Sequence, residues 1–298
     1  MTIEVNPTEN QASSTVIPNI SKVKMRKARW FKLLPFIVIL VLFVIIALFP
    51  GLFTNQDPNL TNLTNRLQPP GYEADGVKHW LGTDSLGRDV WSRLVHGARI
   101  SLYVAVSAVL LSGIMGGLLG VAAGYFGGGI GSFIMRLADI VLSIPFFLLA
   151  VLTVAVLGPN LTNLIIVLSM TRWPLYARVA YGNTLGTVNK DFVQAAIALG
   201  AKSTRIIKRH IIPEVIPSLI IIATLEVGLM IINEAALSFI GLGIQPPNPS
   251  WGSMLTEGQK FITNGWWLAT FPGIFIFLIV LSVNMLGDYV RDVLDPKN

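Results

Sequence analysis

The chain has 298 residues, of which 53% are hydrophobic and only 13% charged, and its mean hydropathy is +0.65. That balance excludes an ordinary soluble globular domain and marks an integral membrane protein, with room for roughly five to seven spans of about 20 residues each. The net charge of +6 sits in basic residues beside the apolar runs, as membrane topology requires, so no nucleic-acid partner is expected. The absence of cysteine excludes a disulfide framework, a thiol catalyst and a Cys-based metal site.

Residues 1 to about 20 are polar and lack apolar periodicity, which predicts a disordered tail. Lys22, Lys24, Arg26, Lys27, Arg29 and Lys32 follow, and they should hold this end in the cytoplasm. The uncharged run 33–53 is long enough to span, too long for a signal-peptide core, and is followed by no convincing cleavage site, so it is expected to be an uncleaved first span. Residues 54–98 form a polar external loop. Within it the block from Trp80 through Gly82, Asp84, Gly87, Arg88 and Asp89 to Arg93 implies tight turns locked by charge-assisted hydrogen bonds.

A second span is expected from Ile100 to about Ala123. Gly113, Gly116, Gly117, Gly120 and Gly124 give it small-xxx-small spacings, suited to close helix packing within the bundle or against a partner. Gly127, Gly128 and Gly129 predict a flexible inner turn, Arg136 the entry to a third span ending near Leu157, and Gly158, Pro159 and Asn160 a tight outer turn. A fourth span runs from Leu161 to about Tyr181.

The segment 189–217 is polar and basic, with two short helical patterns between spans. Asn189 or Asp191 can cap the first helix, Gly200 can end it in a left-handed turn, Ser203 can cap the second and Pro213 can limit it. Ala195, Ala196, Ala198 and Gly200 offer a surface that another backbone can approach closely, while Phe192, Val193, Ile197 and Leu199 supply knobs for a groove. Such a helix-turn-helix elbow suits a docking plug, and its Lys190, Lys202, Arg205, Lys208 and Arg209 place it in the cytoplasm. A fifth span is expected from Ile216 to about Ile240, then an outer loop to about Trp266 whose proline-rich stretch 245–252 should be irregular, then a sixth span from Leu268 to about Leu286. Trp266 and Trp267 fall where an interfacial aromatic belt belongs.

The elbow resembles the EAA loop of bacterial ABC-type importer permeases, whose general pattern is Glu-Ala-Ala, three residues, Gly, about nine residues, then Ile-x-Leu-Pro. Here stand Gln194, Ala195, Ala196, Gly200 and Pro213, with Gln194 in place of the acidic residue and with His210 and Ile212 also departing from the pattern. The block 80–102 closely resembles the segment ahead of the second span in permeases of the oligopeptide, dipeptide and nickel importer group. Further matches at Trp173 to Arg178, Asn233 to Gly243, Pro249 to Gly252 and Gly287 to Pro296 extend the resemblance over most of the chain. Within the group it looks like the second, C-type permease.

The resemblance implies an all-α, six-span permease of the type I ABC importer fold, with a basic tail (1–32), a first transmembrane helix (33–53), an external loop (54–98) and a transmembrane domain (99–298) containing the elbow. It implies a bacterial plasma membrane location with both termini cytoplasmic. Its partners would be a homologous second permease, two cytoplasmic ATPase subunits, an external solute-binding protein and membrane lipid. Gln194, Ala195, Ala196, Gly200, Ala201 and Pro213 would couple to the ATPases. Peptides are the expected cargo, with nickel or another metal chelate as the alternative and an ion-coupled secondary transporter as a more distant one.

Charged groups inside a span are costly and usually face protein or a wet path. Asp139 and Arg178 lie near the inner ends of their spans and read as structural. Glu226, Met230 and Asn233 share one helical stripe that either lines the translocation path or fixes the bundle by hydrogen bonds, and Glu234 is assigned to the bundle. Arg172, about 11 residues into its span, either attracts a substrate carboxylate or pairs internally with Asp139 or Glu226. The stretch from Gly200 through Ala201 and Lys202 to Ser203 only superficially echoes a phosphate loop, so ATP and Mg are expected on partner subunits. His79, His96 and His210 are too scattered for a zinc site or a catalytic set, and the chain is read as a transport subunit without enzymatic or cofactor chemistry of its own.

Overall fold

The computed structural model describes residues 20–74 and 76–294. The tail expected over residues 1 to about 20 therefore falls outside the described residues apart from Ile20, as do Asp295 and Pro296. The chain divides into two compact units at Pro35, residues 1–35 and 36–298. The first contributes the beginning of helix α1 (Ile20–Leu48).

In the second unit α1 is followed by a short antiparallel hairpin, β1 (Tyr72–Ala74) and β2 (Val77–His79), in which Tyr72 faces His79. Then come α2 (Val90–Phe126), α3 (Gly128–Ser143), α4 (Phe146–Leu157), α5 (Leu161–Val188), α6 (Asp191–Ala198), α7 (Ser203–Ile206), α8 (Ile212–Phe239), α9 (Trp251–Gln259) and α10 (Trp267–Leu294). The architecture is all-α apart from that hairpin. The six stretches expected as spans fall mainly on α1, α2, the α3–α4 pair, α5, α8 and α10. Among the described residues, α2, the rod 203–239 and α10 are long and apolar enough to cross a membrane individually, and the bent α3–α4 pair makes a fourth span if taken as one.

Three expectations are corrected. The third span is not straight: α3 and α4 meet at 92°. Pro145 lacks an N–H and forces Ile144 into an extended conformation (φ −89°, ψ 126°), so the helix cannot run through. Pro213 does not limit the elbow's second helix. A π turn at Ile207–Ile211 lets α7 pass into α8, with Pro213 in the first turn of α8, where its missing N–H costs no helical bond. The stretch after Pro249 is regular, because Ser250 and Ser253 form a reciprocal capping box that starts α9 at Trp251.

Packing centres on α2 and α5, and glycine makes it possible. A Cβ at Gly116 would strike the Trp173 carbonyl, and one at Gly120 the Ala177 carbonyl. The small-residue stripe is thus consumed inside the chain, where it sets backbone against backbone. Phe43, Trp251 and Phe275 meet edge to face and join α1, α9 and α10 in the main core.

The segment between α1 and α2 is locked as its Gly, Asp and Arg content predicts. Asp84 accepts from the backbone N–H groups of Leu86 (2.8 Å) and Arg88 (2.9 Å) and pairs with Arg88 Nε at 2.6 Å. Asp89 caps α2 by accepting from the Ser92 N–H at 2.7 Å, and its other oxygen lies 2.8 Å from His79 Nδ1. Arg88 then reaches Glu257 of α9 at 2.8 Å, which Arg93 also approaches at 3.4 Å.

Candidate functional site

Two places gather the candidate residues: the elbow between α5 and α8, and a polar pair within the bundle.

The elbow begins where α5 ends. Neither Asn189 nor Asp191 caps α6 with its side chain; Lys190 occupies the cap position, and Asn189 turns back to donate to the Leu185 carbonyl at 3.0 Å. Ser203 likewise starts α7 without a side-chain cap. The end of α6 follows the expectation. Gly200 has φ +75°, its N–H bonds to the Ile197 carbonyl (2.9 Å) and the Ala201 N–H to the Ala196 carbonyl (3.1 Å). This pair of bonds satisfies the last carbonyls of α6 and sets Ala201 beside Ala196.

One face of α6 is fixed and the other free. Val193 is fully buried among Val121, Ala180, Ile206, Ile211 and Val215, which ties the elbow to α2, α5 and α8. Gln194 Nε2 donates to the Val188 carbonyl at 2.9 Å, Lys190 pairs with Glu214 at 2.9 Å, and the Phe192 ring lies 5.6 Å from that of His210. Phe192, Ile197 and Leu199 stay exposed, Leu199 to 88%, with Ala195 open beside them. The anchored helix thus leaves apolar side chains uncovered beside a small-residue flank. Pro213 stands apart from this face, lining a cleft of about 670 Å³ with Val179, Pro217, Leu225 and Arg291.

In the bundle, Arg172 of α5 approaches Glu226 of α8 at 3.7 Å through Nε. Its guanidinium carbon lies 5.9 Å from the centre of the Phe146 ring at the start of α4. Of the two pairings open to it, the structure selects Glu226, because Asp139 is held by Arg178 at 2.6 Å. The stripe of α8 is split: Glu226 and Met230 are buried, while Asn233 is half-buried with Nδ2 lacking a hydrogen-bond partner. Glu234 accepts from Ser101 at 3.1 Å and Ser238 at 2.8 Å, and Ser101 Oγ accepts in turn from the Trp251 backbone N–H, so Glu234 braces α2, α8 and α9.

Sequence reasoning missed Glu257 and Phe146. The signals were present: Glu257 is the one acidic residue between Gly243 and Trp266, and Pro145 interrupts an apolar run just before Phe146.

The comparisons accord with these features. A family profile described as "Binding-protein-dependent transport system inner membrane component" matches residues 116–298. The chain is 43% identical over 261 residues, 88% of its length and 84% of the relative's, to a dipeptide transport system permease protein DppC of Alkalihalophilus pseudofirmus. It is 42% identical to a di/tripeptide transport system permease protein of Pseudomonas aeruginosa, covering 88% of this chain and 86% of that one. It is 38% identical to an oligopeptide transport system permease protein OppC of Bacillus subtilis, covering 88% and 84%. In fold it is similar to a chain of the inward-facing MetNI methionine ABC transporter, with TM-score 0.50 and 20% identity over 67% of this chain and 95% of that one. With a helical bundle, an anchored elbow and a profile match over more than half its length, this chain belongs to the family of binding-protein-dependent transport system inner membrane components.

Proposed function

We propose that the chain is the C-type permease subunit of an ATP-driven importer of di- or oligopeptides and forms half of the translocation pathway. A homologous permease completes the path, two cytoplasmic ATPase subunits bind ATP and Mg and drive it, and an external binding protein delivers the cargo. The chain sits in a bacterial plasma membrane with both ends in the cytoplasm. The peptide-permease relatives at 38–43% identity support the cargo.

The observation that carries the reading is the elbow, in which Val193 is anchored while Phe192, Ile197 and Leu199 are bare. In this reading the face around Gln194, Ala195, Ala196, Gly200 and Ala201 seats in an ATPase cleft, and closure of the ATPase pair moves α6 as a lever. Because α7 continues through Pro213 into α8, movement of the elbow is transmitted to the helix carrying Glu226, Met230 and Asn233. Of the candidates, half-buried Asn233 and Arg172 are assigned to the pathway wall, while Glu226 and Met230 are buried in the bundle.

The test is gentle co-purification of the tagged chain from its native membrane, identification of partners and carried ligand by mass spectrometry, and uptake in reconstituted vesicles. A second permease, two ATPases and ATP-dependent peptide uptake are expected. A bound metal chelate with no peptide uptake would replace the cargo, and uptake driven by an ion gradient without ATP would overturn the importer.

A further inference from the structure

Among the described residues, Arg172 forms the loosest of the arginine ion pairs. Arg178 reaches Asp139 at 2.6 Å and Arg88 reaches Asp84 at 2.6 Å, but Arg172 stays 3.7 Å from Glu226. Glu226 Oε2 accepts no hydrogen bond, and the two terminal nitrogens of Arg172 find no partner among the described residues. The Glu226 side chain is 5% exposed and that of Arg172 27%, so the arginine is the member that looks outward. At about 11 residues into α5, roughly 16 Å along its axis, Arg172 lies far from either end of the span.

A guanidinium left half-satisfied at that depth is expensive, and closure onto Glu226 would relieve it. The geometry instead separates two jobs. The Nε edge turns toward Glu226, which orients the group. The Nη1/Nη2 edge is free, and that edge is the fork which grips a carboxylate through two parallel N–H···O bonds. Phe146, at the start of α4, flanks the guanidinium with its ring centre 5.9 Å from the guanidinium carbon, a contact that favours the cation and leaves the fork uncovered by any carboxylate.

We infer that Arg172 is a specificity-determining residue that receives a carboxylate of the cargo in the pathway, the C-terminal carboxylate where the cargo is a peptide, with Glu226 as its positioning residue. The inference rests on the peptide-importer reading. Glu226 holds the guanidinium loosely, so the cargo's carboxylate is bound without a trap: the internal carboxylate takes the arginine back as the cargo leaves.

The experiment uses the reconstituted complex with its binding protein and ATP, and a peptide in two forms, free acid and C-terminal amide, chosen so that the binding protein holds both with the same Kd. The wild type should import the free acid in preference to the amide. Arg172→Gln should lower that preference about tenfold, the worth of one charge-assisted hydrogen-bond pair, by slowing the free acid while sparing the amide. Arg172→Lys should retain part of it, as a point charge without the fork. A merely structural brace between α5 and α8 predicts equal loss for both forms, and that result, or a wild type that does not discriminate, overturns the assignment. If the glutamine variant fails to assemble with its partners, the lysine variant decides, since a preference unchanged from wild type removes the fork. Absence of uptake of either form by the wild type would instead sink the peptide-importer reading itself.

Discussion

The side-chain amide of Gln194 donates to the carbonyl of Val188 at 2.9 Å, joining the first helix of the elbow to the last turn of the helix before it. A carboxylate at this position has no N–H to give, so glutamine does something that glutamate cannot. Gln194→Glu should free the Val188 carbonyl at a cost of about 1 kcal/mol. Hydrogen exchange of the purified complex would then show faster exchange across 191–198 with no change in α2 or α5. An unchanged exchange pattern would mean that Val193 alone anchors the elbow.

Glu257 is the shared partner of two arginines. Arg88 and Arg93 are 5% and 2% exposed at their side chains, and Glu257, itself 28% exposed, meets both. Removing one member of such a network leaves charge buried without compensation, so Glu257→Ala should destabilise the region by about 3 kcal/mol, the low end of the range because Glu257 retains contact with solvent. Glu257→Gln, which can still accept one bond from Arg88, should cost less. Thermal unfolding of both variants in detergent tests the order; equal stability of Glu257→Ala and wild type would show that Asp84 alone suffices.

The α2–α5 seam gives a contrast between glycines. A methyl at Gly120 would collide with the Ala177 carbonyl and the Ala180 side chain, and neither backbone can yield without separating the helices. Gly120→Ala should therefore cost about 1–3 kcal/mol as overpacking. Gly182 is also helical, in α5, yet nothing lies within 4 Å of its missing Cβ, so Gly182→Ala should be neutral or stabilising by up to about 1 kcal/mol. The melting temperature should fall for Gly120→Ala and hold or rise for Gly182→Ala, and a parallel loss would show that the Gly182 face is covered in the assembled complex.

The sequence was readable where local chemistry decides the backbone. Gly200 had to end α6, because the left-handed turn there suits glycine, and the density of Asp and Arg in 80–93 had to close on itself since so many charges otherwise lack partners. It was less readable where distant elements decide. Pro213 looked like a helix stop, but proline is tolerated in a first helical turn, and only the π turn before it makes that turn available. The choice of partner for Arg172 depended on Arg178 claiming Asp139, a matter of helix register that no local pattern encodes. The same holds for Gln194, whose acceptor is a backbone carbonyl across the α5–α6 turn.

Gly200 links local structure to the proposed transport cycle, and two substitutions separate its contributions. Its φ of +75° is uncomfortable for any other residue, while the space around its missing Cβ is open. Gly200→Ala thus tests backbone strain without a clash within the chain, at about 1 kcal/mol. That strain falls on the two bonds closing α6, so the helix should fray and the exposed Leu199 should lose its fixed position. Gly200→Trp carries the same backbone strain and adds bulk whose first carbon meets nothing within 4 Å in this chain but which obstructs a partner's groove. In reconstituted vesicles the alanine variant should import peptide at a reduced rate with coupling retained. The tryptophan variant should insert into the membrane normally and lose the link between ATP hydrolysis and uptake. Normal uptake per ATP by Gly200→Trp would place the ATPase contact elsewhere on the chain.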